Sequence, residues 1–183
     1  MIIRAAVFAL ALSLPAAALA APPAYQDSSY VEANGDRAQR LSIVVPATPG
    51  AIWSALSTAE GWKSWAVATA FVDFRPGGQI ETSYKATVTQ GERDNIKNQI
   101  VTFVPDRLLA FRNVQAPRDF KDAELFSRVL TVIELEPAGK GATKVMITGV
   151  GYGQGPGWDG LYSMFLAGNG YTLEKLKERF EPK

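Results

Sequence analysis

The residue types that support most enzyme chemistry are missing from this chain. None of its 183 residues is histidine or cysteine. This excludes zinc sites with nitrogen or sulfur ligands, Ser-His-Asp and Cys-His nucleophiles, disulfides, and haem held by a Cys or His ligand. Catalysis would have to depend on Asp, Glu, Lys, Arg, Tyr, Ser or Thr. We therefore assign no catalytic residue, no metal site and no cofactor from the sequence.

The charge balance also excludes one class of partner. The chain has 19 Lys plus Arg and 18 Asp plus Glu. Nucleic-acid recognition needs a surplus of basic side chains on one surface, and no such surplus is visible, so we predict no nucleic-acid partner. The glycine-rich segment 151–157 lacks the lysine of a phosphate-binding loop, which favours a mobile flap over a nucleotide site.

Asn169 is the polar residue with the most unusual neighbours. It lies between Gly168 and Gly170, on a stripe of apolar residues at helical spacing. Each glycine inside a helix costs about 1 kcal/mol relative to alanine, so another interaction must favour the arrangement. One interpretation is a helix kink at which the amide bonds a neighbouring backbone carbonyl. A second interpretation is that the glycines open space and the amide serves as a hydrogen-bond anchor for a ligand.

The elements that would position these residues follow from hydrophobic periodicity and from turn signals. Asn34-Gly35 predicts a hairpin between residues 30–33 and 37–45, and Thr48-Pro49 predicts the start of a short helix, or of two helices broken near Gly61. Alternation then predicts an antiparallel meander of six strands, and residues 158–180 form a long amphipathic helix. The expected strands are 71–75, 80–88, 96–103, 108–114, 126–135 and 145–152.

The first twenty residues have the layout of a secretory signal peptide. Arg4 precedes an apolar run over residues 5–14, and Ala18-Leu19-Ala20 supplies the small residues of a cleavage site. A membrane anchor is the alternative, but the run is shorter than the roughly 20 residues that span a bilayer. We predict that signal peptidase cleaves after Ala20, and that the protein is periplasmic or secreted from a bacterium. Residues 21–29 are expected to form a flexible leader, and residues 30–183 a single domain ordered from about Tyr30.

Several short segments together resemble SRPBCC (START-like, helix-grip) domains. They include residues 43–49 (IVVPATP), 73–78 (DFRPGG) and 104–111 (VPDRLLAF), followed by the terminal segment from Gly157 through Asn169 to Leu176. Within the superfamily they resemble the branch named for the activator of the heat-shock-protein ATPase, over residues 40–180. The resemblance implies an α+β helix-grip fold, in which a curved antiparallel sheet of six or more strands wraps around the long C-terminal helix.

The same resemblance implies an apolar cavity between the sheet and the terminal helix, used across the superfamily for hydrophobic small molecules. The branch's chaperone role is not carried over, because an exported protein would not meet a cytosolic ATPase. Strand alternation predicts that Tyr84 and Asn98 point into this cavity. Arg112 is expected to be exposed, and Asp73 is expected to be a surface carboxylate that can pair with Arg75.

Aromatic residues complete the candidate site. Trp62, Trp65, Trp158 and Tyr162 cluster at predicted helix ends, beside glycine-rich loops. They are either ordinary core residues or contacts at the cavity mouth. The residues that we assign to ligand binding are Trp65, Phe74, Tyr84, Asn98, Phe111, Trp158, Tyr162, Phe165 and Asn169.

Three functions fit these expectations. The first, which we favour, is a periplasmic binding or carrier protein for a hydrophobic small molecule. The second is a cyclase-like or hydrolase-like enzyme that uses a pocket tyrosine or carboxylate. The third is a cell-envelope interaction module without a ligand, which would have a cavity filled by side chains. We assign no oligomeric state.

Overall fold

The computed structural model describes residues 24–182. The predicted signal peptide and residues 21–23 of the leader lie outside this range. In chain order the strands are β1 Gln26–Asp27, β2 Tyr30–Val31, β3 Arg37–Val45, β4 Thr69–Val72, β5 Gln79–Ser83, β6 Ile96–Val104, β7 Leu108–Gln115, β8 Leu130–Pro137 and β9 Thr143–Tyr152. The helices are α1 Pro49–Ser57, α2 Ala59–Lys63, α3 Ala123–Phe126 and α4 Pro156–Phe180.

All nine strands join one antiparallel sheet, and α4 packs on its inner face. The strand order is β1-β3-β9-β8-β7-β6-β5-β4, with β2 also paired to β3. The inner face of β3 carries Leu41, Ile43 and Val45, which are buried together with Leu173 and Leu176 of α4 in the main core. This arrangement confirms the α+β helix-grip fold, including the terminal helix.

Two threonine caps divide the helical segment after β3. The Thr48 hydroxyl accepts a hydrogen bond from the Ala51 N–H at 3.4 Å, and Pro49 begins α1. The Thr58 hydroxyl accepts from the Gly61 N–H at 2.9 Å, so that α2 begins directly after α1. The break therefore lies at Thr58, because a side-chain cap starts the second helix there, and Gly61 lies inside α2.

The leader is ordered earlier along the chain than we expected. β1 pairs with β3, with Gln26 opposite Ser42, and the Ser28 N–H donates to the Arg40 carbonyl at 2.8 Å. Just before β1, the partly buried Tyr25 packs against the main core. The prediction that order begins near Tyr30 was wrong, because this polar segment gains its hydrogen bonds from the edge of β3 rather than from an apolar pattern of its own.

Local bonding also moves several predicted boundaries. β5 ends at Ser83 instead of residue 88, since the Lys85 N–H donates to the Ser83 hydroxyl at 3.2 Å. β4 ends before Asp73, where the chain enters a turn in which the Gly78 N–H donates to the Arg75 carbonyl. The predicted flap over 151–157 shortens to the three residues between β9 and α4, because α4 begins at Pro156. The strand predicted over 126–135 begins only at Leu130, because Phe126 is the last residue of α3.

Candidate functional site

A cavity of about 580 Å³ lies between the inner face of the sheet and α4. The sheet contributes inward-facing residues of five neighbouring strands, β5 to β9, and α4 contributes the face that begins at Met164. The α1–α2 segment lines one end, and the β7–β8 connection lines the other. The apolar residues of the wall include Leu56, Ile80, Ile96, Ile133, Val145, Ile147, Leu173 and Leu176.

Two stacked tryptophans line the end formed by α2. The rings of Trp62 and Trp65 lie 5.4 Å apart and 26° from parallel. The indole N–H of Trp62 donates to the Leu56 carbonyl at 2.7 Å, and that of Trp65 donates to the Ala55 carbonyl at 3.3 Å. These carbonyls lie in the last turn of α1, where backbone acceptors have no partner within the helix. The indoles satisfy them and leave their ring faces for the cavity wall.

Phenylalanines line the opposite end. Phe165 of α4 lies 4.4 Å from Phe126 and 6.4 Å from Phe120, measured between ring centroids. All three line the cavity, as does Phe111 from β7. Aromatic surfaces therefore lie at both ends of the cavity, which suits a ligand with a flat apolar body.

The inner wall carries two asparagines on opposite sides. Asn169 lies on α4, and its Nδ2 donates to Gln39 Oε1 at 3.0 Å. Asn98 lies on β6, and its Oδ1 accepts from Asn113 Nδ2 at 3.2 Å. Both asparagines line the cavity. The amide nitrogen of Asn169 thus bonds a side chain of the sheet and not a backbone carbonyl of its own helix, and the residue borders the cavity, as the anchor interpretation requires.

Gln39 is the residue that the sequence reasoning missed. It is fully buried in β3, its Nε2 donates to the Tyr162 carbonyl of α4, and the Tyr152 hydroxyl lies 3.5 Å from its Oε1. Burial raises the pKa of Tyr152, so this hydroxyl keeps its proton. Alternation within β3 carried a usable signal, because Gln39 is two residues before the buried Leu41 and shares its face.

The mouth of the cavity lies along one side of α4. Tyr84, Met164 and Tyr171 line it and are 76%, 46% and 61% exposed. Tyr84 was predicted to point inward, but it lies beyond the end of β5 and therefore no longer follows the alternation of that strand. It belongs to the rim and is not a buried anchor.

Three assigned residues lie away from the cavity. Phe74 packs edge-on against Trp53, with ring centroids 5.5 Å apart, because the turn after β4 turns it toward α1. Trp158 and Tyr162 pack around the buried Tyr152 in a second cluster, since the first turns of α4 lie against the end of β9. The structure therefore places these three residues outside the cavity wall. Trp65, Asn98, Phe111, Phe165 and Asn169 do line the cavity.

An arginine fixes the first turns of α4 in this second cluster. The Arg37 guanidinium lies 4.7 Å above the Tyr162 ring, forms an ion pair with Asp159 at 2.8 Å and donates to the Gly153 carbonyl at 3.0 Å. Tyr162 therefore positions the helix that forms one wall of the cavity.

Lys175 is the charged side chain among the described residues that line the cavity. It lies near the mouth, and a hydrogen bond to Glu178 raises its pKa. Two other charged residues lie where the sequence reasoning expected them: Arg112 is exposed, and Asp73 pairs with Arg75 at 3.0 Å.

Residues 24–182 contain no group of three or more Asp and Glu side chains placed to hold a metal ion. No helix in this range is both long enough and apolar enough to cross a membrane.

A comparison with known protein families shows which family the chain belongs to. The model of the family described as polyketide cyclase/dehydrase and lipid transport matches residues 38–181. The chain belongs to this family. Since the family lies within the SRPBCC superfamily, the predicted resemblance is confirmed. Among curated proteins, none matches the chain.

Solved structures show the same fold at low identity. An Aha1 dimer from Colwellia psychrerythraea matches with a TM-score of 0.61 and 17% identity, over 79% of this chain and 96% of that one. CalU16 from Micromonospora echinospora matches with a TM-score of 0.60 and 16% identity, over 87% of both chains. A conserved protein of unknown function from Enterococcus faecalis has a TM-score of 0.59 and 12% identity, over 84% and 75%. The family membership and the cavity together indicate a fold that binds hydrophobic ligands.

Proposed function

We propose that the protein is an exported carrier that holds a hydrophobic small molecule in the cavity between the sheet and α4. The observation that carries this proposal is the cavity itself. Its volume of about 580 Å³ falls within the range of about 300 to 1,000 Å³ typical of small-molecule sites. Its wall is mainly aliphatic and aromatic, with a few amide and hydroxyl groups that can orient a ligand.

The polar groups of the wall support carriage. Apart from Lys175, the polar side chains that line the cavity within residues 24–182 are uncharged: Thr82, Tyr84, Asn98, Thr131, Asn169, Tyr171 and Thr172. Amides and hydroxyls orient a bound molecule through hydrogen bonds, and a carrier needs no more than this.

The proposal of export rests on the signal-peptide layout of residues 1–20, and the fold is compatible with cleavage there. Cleavage after Ala20 would leave Tyr25 and β1 in the mature chain, and both contact the domain. We expect N-terminal sequencing of the protein from a periplasmic fraction to begin at Ala21. A chain from that fraction that still begins at Met1 would contradict cleavage.

The binding proposal is tested by filling the cavity. Thr131 of β8 lines the cavity, whereas Thr102 of β6 is exposed and does not. Thr131→Trp should therefore lower the affinity for the uncharged fluorescent probe N-phenyl-1-naphthylamine at least tenfold, while Thr102→Trp should leave it unchanged. Circular dichroism of both variants checks that they are folded. Equal probe affinity in the two folded variants would show that the probe binds elsewhere and would refute the cavity as the binding site.

A further inference from the structure

Backbone carbonyls determine which hydrogen-bond donors and acceptors the cavity presents to a ligand. These donors and acceptors define the ligand more closely than the apolar walls of the cavity do. An amide side chain can present either its oxygen or its nitrogen to a ligand. A backbone carbonyl only accepts hydrogen bonds, so an amide that faces one must present its N–H. Each of the two cavity asparagines is connected to such a carbonyl through one other side chain.

On the helix side, the connection runs through Gln39. The Tyr162 carbonyl accepts from Gln39 Nε2, which turns Gln39 Oε1 toward Asn169. Asn169 must then present its Nδ2 to that oxygen, at 3.0 Å. The Asn169 Oδ1 accepts no hydrogen bond within residues 24–182 and remains as an acceptor on the helix wall.

On the sheet side, the connection runs through Asn113, which is 3% exposed. Its Nδ2 donates to the carbonyls of Lys97 and Gln115 at 3.2 and 3.0 Å, and the same nitrogen lies 3.2 Å from Asn98 Oδ1. Because the Asn98 oxygen is used in this contact, its Nδ2 is left for the cavity. No hydrogen bond within the described residues uses that nitrogen, so the sheet wall presents a donor.

We propose that the ligand is an uncharged ring compound whose hydroxyl group donates to Asn169 Oδ1 and whose carbonyl or ether oxygen accepts from Asn98 Nδ2. This inference rests on the proposed carrier function. The aromatic side chains Trp65, Phe111 and Phe165 fit a flat apolar ring system. A carboxylate is disfavoured, because burying a charge without an ionic partner is costly and the lysine near the mouth is already bonded to Glu178. Gln39 acts as a positioning residue, since it orients the acceptor without lining the cavity.

Matched pairs of naphthalenes test the two walls separately. For the helix wall, the measured quantity is the affinity of 2-naphthol divided by that of 2-methoxynaphthalene, which cannot donate. Compared with the unmodified protein, we expect this ratio to fall about tenfold in Asn169→Leu, which is the scale of one buried hydrogen bond. In Gln39→Leu the ratio should fall severalfold, because the Asn169 amide is then free to turn over. Gln99→Leu, on the exposed outer face, should leave the ratio unchanged.

For the sheet wall, the corresponding ratio compares 2-acetylnaphthalene with 2-ethylnaphthalene and should fall about tenfold in Asn98→Leu. Comparing ratios between proteins removes the difference in hydration between the compounds. If the compounds bind but neither ratio changes in any cavity variant, the inferred polarity is wrong and the carrier function stands. If Gln39→Leu does not fold, Asn169→Leu alone decides the helix wall. If neither the substituted naphthalenes nor N-phenyl-1-naphthylamine binds, the carrier function and this inference are both wrong.

Discussion

Two glycines in α4 provide a matched test of how the terminal helix is held. Gly168 and Gly170 flank Asn169, and each can be replaced by alanine. A Cβ on Gly168 would meet no described atom within 4 Å, outside its own stretch of helix, whereas a Cβ on Gly170 would lie 2.5 Å from two ring carbons of Tyr25. The same substitution two residues apart should therefore change the free energy of unfolding by different amounts.

The magnitudes follow from the local environment. Alanine is favoured over glycine in a helix interior by about 1 kcal/mol, so Gly168→Ala should stabilise the protein by about that amount. Gly170→Ala gains the same helical preference but displaces the packed Tyr25 ring, and overpacking of this kind costs roughly 1 to 3 kcal/mol. We expect Gly170→Ala to be less stable than Gly168→Ala by about 1 to 3 kcal/mol. For a protein of this size, each kcal/mol corresponds to a difference in melting temperature of about 2 to 4 °C.

Urea unfolding followed by tryptophan fluorescence measures both variants, and a third background isolates the cause. In Tyr25→Ala the ring is absent, so Gly170→Ala should now stabilise by about 1 kcal/mol, as Gly168→Ala does. The account is refuted if Gly170→Ala stabilises the unmodified protein as much as Gly168→Ala does, since Tyr25 would then not pack against α4.

Three further results are expected. Trp62→Phe should destabilise the fold by about 1 kcal/mol in urea unfolding, because the last turn of α1 loses an indole donor. Hydrogen bonds from Arg118 lower the pKa of Asp94 to about 2, from an ordinary value of 3.8. The pair therefore stabilises the fold above about pH 4, and this contribution is lost as the pH falls toward 2. Arg118→Gln should return the pKa of Asp94, measured by NMR titration, toward 3.8. Phe74→Leu should lower stability without changing the affinity for N-phenyl-1-naphthylamine. Phe165→Leu should weaken that affinity by about 1 kcal/mol, and an equal loss of affinity in both variants would contradict the assigned cavity wall.

Apart from β1 and α3, the order of the elements could be predicted from the sequence because each of the others depends on a local signal. Thr48-Pro49 marks the start of a helix, alternation marks the strands, and the apolar stripe after Trp158 marks the long helix. These signals report which face of an element is apolar. The helix-grip fold then follows, since a curved sheet with one apolar face and a long amphipathic helix bury each other.

The site was less predictable because it depends on which neighbour each apolar face meets. Trp158 and Phe165 belong to the same helical stripe, yet the first packs against the end of β9 and the second lines the cavity. Tyr84 fits the alternation of β5, but the Ser83 hydroxyl ends that strand one residue earlier. The role of Gln39 depends on a contact across 123 residues of chain with the Tyr162 carbonyl, and no local pattern encodes such a contact.

The most direct test of the carrier function is native mass spectrometry of the protein purified, without added ligand, from cells of its source organism. Thr131→Trp and Thr102→Trp, produced in the same way, serve as the cavity variant and its control. The carrier account predicts that the unmodified chain and Thr102→Trp carry an additional small-molecule mass that dissociates on unfolding, and that Thr131→Trp carries little or none. The account is contradicted if all three proteins show only the mass of the bare chain, or if Thr131→Trp retains the molecule as well as its control does.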